Sequence, residues 1–160
     1  MKNVLTSLAV AAAVLTAPAA HAADKLLLKT PIAFSTALPG LGSPIPRVAE
    51  QLDLMSGGTL RMKVYEPGKL VPAFEILDAV STGKINSGYT TAGYWAGKIP
   101  AAPLFSAVPF GPEAGEYMAW LYYGNGMNLY QEMYDQAGYN VHVMPCAVIA
   151  PETSGWFAKE

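Results

Sequence analysis

Few side chains in this sequence could perform covalent chemistry. The chain has one cysteine, Cys146, and two histidines, His21 and His142. His142 and Cys146 stand four residues apart in a stretch that reads as a strand. At about 3.3 Å per residue they lie about 13 Å apart, which excludes a Cys–His dyad on that reading. Both fit better as ordinary core or edge residues. No histidine, cysteine and carboxylate residues fall at metal-ligand spacing. Gly40-Leu41-Gly42 lacks the third glycine of a dinucleotide loop and the lysine of a phosphate loop. Glu113 and Glu116 share a helix face, but in a first helical turn such carboxylates complement the macrodipole.

Groups suited to binding are more numerous. In open α/β sheets, ligands sit beyond the carboxyl ends of strands, next to helix N-termini. Three loops fit that place. The Phe34–Ser43 loop feeds a helix whose free backbone N–H groups could meet an anion. Thr90-Thr91-Ala92-Gly93-Tyr94-Trp95 offers hydroxyls beside aromatic walls. Pro151-Glu152-Thr153-Ser154-Gly155-Trp156 does the same after a last strand. Each loop also has a plainer reading: turn chemistry, core packing of Tyr94 and Trp95, and capping by Thr153 and Ser154.

The elements that position these loops follow from periodicity. Lys25 to Phe34 reads as a strand, with Leu26, Leu28 and Ile32 in period two. Ser43 is a suitable N-cap and Pro44 a suitable first helical residue. Ile45, Val48, Leu52 and Met55 then keep helical spacing until Gly57-Gly58 stops them. Thr59 to Tyr65 alternates, with Leu60, Met62 and Val64 on one face and Arg61 and Lys63 on the other. Strand, helix and strand make a βαβ unit with a right-handed crossover. Glu66-Pro67-Gly68-Lys69 is a turn. Pro72 opens a helix with Phe74, Leu77 and Val80 as its apolar stripe, ending at Gly83, and a short strand spans Asn86 to Thr90. Residues 101–113 read as irregular, broken by Pro103, Pro109 and Pro112. A tyrosine-rich helix runs from about Pro112 to Gln136, with a break at Gly124-Asn125-Gly126. Val141 to Ala150 is the last strand. The expected fold class is α/β, an open mixed sheet with flanking helices.

The ends and the composition set the compartment. Lys2, the uncharged run from Val4 to Thr16 and Ala20-His21-Ala22 form a cleavable secretory signal over residues 1–22. Its apolar run of about 13 residues is shorter than the roughly 20 a bilayer requires. Removing 22 residues from 160 leaves 138, with 9 basic against 12 acidic residues and a charge of −3. The charges are scattered without a basic stripe, which argues against a nucleic-acid or anionic-membrane partner. A lone cysteine allows no internal disulfide, so burial must hold the fold; with 52% hydrophobic residues that is feasible. The expected location is a bacterial periplasm.

Several strings, in order and with compatible spacing, resemble the solute receptors of TRAP transporters, the periplasmic binding proteins of tripartite ATP-independent systems. They are Phe34-Ser35-Thr36, Met55-Ser56-Gly57-Gly58-Thr59-Leu60-Arg61-Met62, Tyr65-Glu66-Pro67-Gly68-Lys69-Leu70-Val71-Pro72 and Phe74-Glu75-Ile76-Leu77-Asp78-Ala79-Val80. Tyr94-Trp95, Val108-Pro109-Phe110-Gly111 and Ser154-Gly155-Trp156-Phe157-Ala158-Lys159-Glu160 complete the set. The likeness spans residues 24–160 and is nearest to the branch that binds 2-oxo acids and related monocarboxylates. It implies two α/β lobes closing on an organic acid, which membrane subunits then import.

By position, Thr91, Tyr94 and the loop of Glu152, Thr153 and Ser154 would line the cleft, with Phe34 and Trp95 shaping its wall. The resemblance divides the chain into a signal at 1–22, a first lobe at 23–145 and the crossover into a second lobe at 146–160. The family's carboxylate-clamping arginine belongs to the second lobe, and neither Arg47 nor Arg61 stands at its position. No cofactor is expected; a metal ion beside the ligand belongs to the full-length protein only, and a homodimer is left open. The alternatives are a secreted α/β enzyme of hydrolase type, which would have to use Glu152, and a small stand-alone binding or adhesion domain.

Overall fold

The computed structural model describes residues 24–149 and 158; the expected signal over residues 1–22 lies outside them. The chain folds as α/β. Strand β1 (Leu26–Pro31) and strand β2 (Leu60–Tyr65) pair in parallel, from Leu26 opposite Leu60 to Pro31 opposite Tyr65. Helix α1 (Pro44–Met55) connects them and packs on β2. In β2 the alternation holds: Leu60, Met62 and Val64 are partly buried while Arg61 and Lys63 are exposed. Exposed Arg61 pairs with Asp53 of α1 at 3.3 Å.

The end of α1 follows from its glycines. Gly57 and Gly58 take φ of +59° and +79°, a conformation that costs side chains about 1–2 kcal/mol. The Gly58 N–H thereby reaches the Asp53 carbonyl at 2.9 Å and satisfies one of the helix's free acceptors. Ser56 ties the helix end to the next strand, its hydroxyl accepting the Leu60 N–H at 3.0 Å.

After β2, the Glu66–Lys69 turn closes with the Lys69 N–H on the Glu66 carbonyl at 3.0 Å and Gly68 at φ +74°. A 3-10 turn (Ala73–Glu75) leads into α2 (Ile76–Ser81). Phe74, in the 3-10 turn, leaves the expected stripe and is 63% exposed, while Leu77 keeps its place in the core beside Ile76 and Ala79.

The expected strand from Asn86 to Thr90 is reduced to one parallel bridge, Ile32 to Tyr89. The Tyr89 N–H donates to the Pro31 carbonyl at 3.0 Å and the Ala33 N–H to the Tyr89 carbonyl at 2.9 Å. One step earlier a side chain replaces the backbone. The Asn86 amide accepts from the Lys29 N–H and donates to the Leu27 carbonyl, both at 2.8 Å. Every strand pairing among the described residues is parallel.

One 3-10 turn, Ala92–Trp95, precedes the region read as irregular, and a second, Ala102–Phe105, lies within it. The tyrosine-rich helix is broken where expected, into α3 (Ala114–Tyr123) and α4 (Gly126–Gln136). Glu116 accepts the Glu113 N–H at 3.3 Å, so this carboxylate pair caps a helix rather than forming a catalytic couple. Among the described residues, 141–149 form no ladder, where the sequence led to a last strand. The Gln131 amide serves them in its place, donating to the Val141 carbonyl at 2.7 Å and accepting the Val143 N–H at 3.1 Å. The strand premise that separated His142 from Cys146 therefore fails. The Cys146 thiol instead makes a weak contact with the Met144 carbonyl at 3.6 Å.

Two apolar clusters hold these parts. Ile32, Ile45 and Tyr89 join the sheet to α1. The larger cluster gathers Ile76 and Leu77 of α2, Ala92, Trp95, Ile99 and Ala102 of the 3-10 region, and Met133 and Tyr134 of α4. Among the described residues no helix is long and apolar enough to cross a membrane.

Candidate functional site

The loops after β1, after β2 and after the Tyr89 bridge all leave the carboxyl end of the parallel strands. That is where an open α/β sheet offers a crevice, because backbone groups and side chains beyond the last ladder bond are free to face a ligand. Tyr94 is the centre of the cluster found there. Its ring stacks on Phe74 at 4.6 Å, tilts against Phe34 at 5.7 Å and meets Trp95 edge-on at 6.3 Å. Offset and edge contacts at such distances add about 0.5–1.5 kcal/mol each beyond the area they bury.

The four expected residues that the structure describes take different parts. Phe34 and Tyr94 are partly exposed and make a wall. Thr91 caps the 3-10 turn that carries Tyr94, and its hydroxyl lies 2.6 Å from that of Ser106. Trp95 is 1% exposed, a core residue that supports Tyr94 from beneath and offers a ligand no open face. Glu152, Thr153 and Ser154 lie outside the described residues. Phe74 and Ser106 belong to this cluster and were not singled out from the sequence. Phe74 was assigned to a helix stripe, and Ser106 reaches Thr91 across 15 residues of chain.

The Phe34–Ser43 loop is tightly held. Glu66 accepts hydrogen bonds from both the hydroxyl and the N–H of Thr36. The Thr36 hydroxyl, as the largest influence, holds the Glu66 carboxyl below the usual carboxylate range. At the far end the Tyr89 hydroxyl donates to the Leu41 carbonyl at 2.6 Å. Gly42 is required where the loop turns back, since a Cβ there would stand 1.8 Å from the Ser35 carbonyl oxygen.

The expected anion seat at the start of α1 is absent. Pro44 and Pro46 have no N–H to offer, and the Ile45 N–H is taken by the Gly42 carbonyl at 3.3 Å. The Ser43 hydroxyl does not cap the helix; it accepts the Gly40 N–H at 3.2 Å. Both arginines of the chain, Arg47 on α1 and Arg61 on β2, are exposed. Among the described residues no three histidine, cysteine or carboxylate side chains gather where a cation could be held. The cluster can offer an apolar, aromatic surface with hydroxyls at its edge, and it holds no nucleophile–base pair.

Residues 45–143 match the family described as bacterial extracellular solute-binding protein, family 7. A monocarboxylate 2-oxoacid-binding periplasmic protein of Nostoc sp. is 37% identical over 113 residues, 71% of this chain and 30% of that protein. Two solved TRAP periplasmic solute-binding proteins are each 34% identical, with a TM-score of 0.67 over 72% of this chain and 35% of theirs. One, from Pseudoalteromonas atlantica, holds sodium and pyruvate; the other, from Colwellia psychrerythraea, holds calcium and pyruvate. The chain therefore spans about a third of the length of these relatives.

Proposed function

Since the chain belongs to the family 7 extracellular solute-binding proteins, a family of receptors rather than enzymes that works outside the cytoplasm, we propose that it captures a small organic acid for a TRAP transporter. The ligand class is a 2-oxo acid or similar monocarboxylate, and the membrane subunits of the transporter are the partners that receive it. Export by a cleaved signal at residues 1–22 belongs to the same reading. So does the division into a first lobe at 23–145 and a crossover at 146–160.

One observation carries the proposal. Phe34, Phe74 and Tyr94 join at the carboxyl end of the parallel strands, with the Thr91 and Ser106 hydroxyls alongside. An apolar wall edged by a few hydroxyls suits a short carbon chain with a polar end. Glu152, Thr153 and Ser154 are assigned to the same cleft through the family resemblance. The names of the relatives support the ligand class, since two of them hold pyruvate. A cation carried with the ligand would draw largely on residues outside the described ones, among which no three ligating side chains gather.

The test is isothermal titration of the protein with pyruvate, 2-oxobutyrate and lactate, with and without calcium. Without a bidentate arginine in the cluster, this chain should bind weakly, with a Kd of about 1 mM. No heat with any of these acids would remove the proposal, as would equal heat from a Tyr94→Ala variant.

A further inference from the structure

We propose that Glu66 is a positioning residue for the candidate site, gripping Thr36 with both carboxylate oxygens and so fixing the loop that presents Phe34. What the loop is for rests on the ligand-site reading above; how the loop is held does not.

Glu66 stands one residue beyond the last strand pair, Pro31 with Tyr65. It is thus beside the segment leaving β1, although 30 residues separate Glu66 from Thr36. The Thr36 hydroxyl donates to one carboxylate oxygen and the Thr36 N–H to the other at 3.4 Å. Glu66 is itself held in the tight turn closed by the Lys69 N–H, with Gly68 at φ +74°. The grip therefore joins one rigid turn to one loop.

That loop has a second anchor, the Tyr89 hydroxyl on the Leu41 carbonyl at 2.6 Å. Between the anchors it folds on itself, with the Leu38 N–H on the Ser35 carbonyl at 2.9 Å and the Gly42 N–H on the Leu38 carbonyl at 3.0 Å. Phe34 lies just before the first anchor and touches Tyr94. Losing the first anchor frees the Phe34 side of the wall while leaving the Leu41 side held.

The chemistry requires a carboxylate, because both oxygens face donors. A glutamine would turn an NH2 toward one of them. The groups acting on the carboxylate are Thr36 and Ser35, and neither is charged. Its pKa is lowered in the fold, so the grip is complete above the ordinary glutamate pKa of about 4.3 and is lost as pH falls through the lower folded value.

Hydrogen exchange read by mass spectrometry on the full chain tests the grip. Glu66→Ala and Thr36→Val should each speed exchange across residues 34–43 about fivefold, and the double variant should do no more. Thr36→Ser, which keeps the hydroxyl, should behave as the parent, and peptides from α1 and β2 should not change. The parent should show an acid step in loop exchange that Glu66→Gln lacks. Additive single effects, a rise spread evenly over α1 and β2, or no acid step would each overturn the proposal. Pyruvate titration of the same samples separates the two readings. If the parent does not bind pyruvate, the ligand reading fails while the exchange result still decides the grip. If Glu66→Ala binds pyruvate as well as the parent does, the positioning role is overturned.

Discussion

Replacing Gly42 by alanine should damage this protein more than its small size suggests. The added Cβ would stand 1.8 Å from the Ser35 carbonyl oxygen and 2.8 Å from that of Phe34. Ordinary contact begins at about 3.4 Å, so one backbone segment must retreat by about 1.6 Å. Neither can do so freely, because the loop is anchored at Thr36 and at Leu41. Overpacking of well-filled sites costs about 1–3 kcal/mol, and a backbone neighbour places Gly42→Ala at the upper end of that range. Two other glycines calibrate the reading. At Gly88 the obstacle is the side chain of Ile76, 2.4 Å from the new Cβ, and about 1–2 kcal/mol is expected. At Gly97 nothing lies within 4 Å, and a change within about 0.5 kcal/mol is expected. Urea unfolding followed by circular dichroism gives the three midpoints. If Gly42→Ala and Gly97→Ala unfold together, the account of this loop as a closely packed, doubly anchored segment is wrong.

Alkali should unfold the protein more readily than neutral solution. Burial raises the pKa of Tyr89, Tyr117, Tyr130 and Tyr134, so the folded state resists ionisation that the unfolded chain undergoes near pH 10. Their contribution is complete below that pH and is lost above it, which tyrosinate absorbance and circular dichroism followed together would show. Tyr89→Phe removes the donor to Leu41 and should cost about 1 kcal/mol in urea unfolding. Asn86→Ala removes both bonds to β1 and should cost about 1–2 kcal/mol, with faster exchange of the Lys29 amide as its local sign. Gln131→Ala should speed exchange at Val143 severalfold and leave α1 untouched.

Much of the fold was legible because it rests on local periodicity. The stripe of α1 from Ile45 through Val48 to Leu52 (Met55, expected in it, is 75% exposed), the alternation in β2 and the glycine stop at Gly57-Gly58 are each written in neighbouring residues. The strand expected at Asn86–Thr90 was not, since its backbone pairs only at Tyr89 and a side chain does the rest. The last strand failed for the same reason, with Gln131 standing where a ladder was expected. The rule about strand ends pointed to the loops that carry Phe34, Thr91 and Tyr94, and the family resemblance singled out the residues within them. Phe74 and Ser106 could not be placed in this way, because contacts between residues distant in sequence, a ring stacked on Tyr94 and a hydroxyl beside Thr91, bring them in. Pro44 and Pro46 did carry a readable signal against an anion seat at α1, because neither has an N–H to give.

The Asn86 amide has a consequence beyond the bonds it makes. The outer edge of β1 exposes Leu26 and Leu27, and an open edge flanked by leucines can template the strand of another molecule. By occupying the Lys29 N–H and the Leu27 carbonyl, one short side chain caps that edge. A strand of a neighbouring molecule that came to pair there would first have to displace the Asn86 amide from both groups.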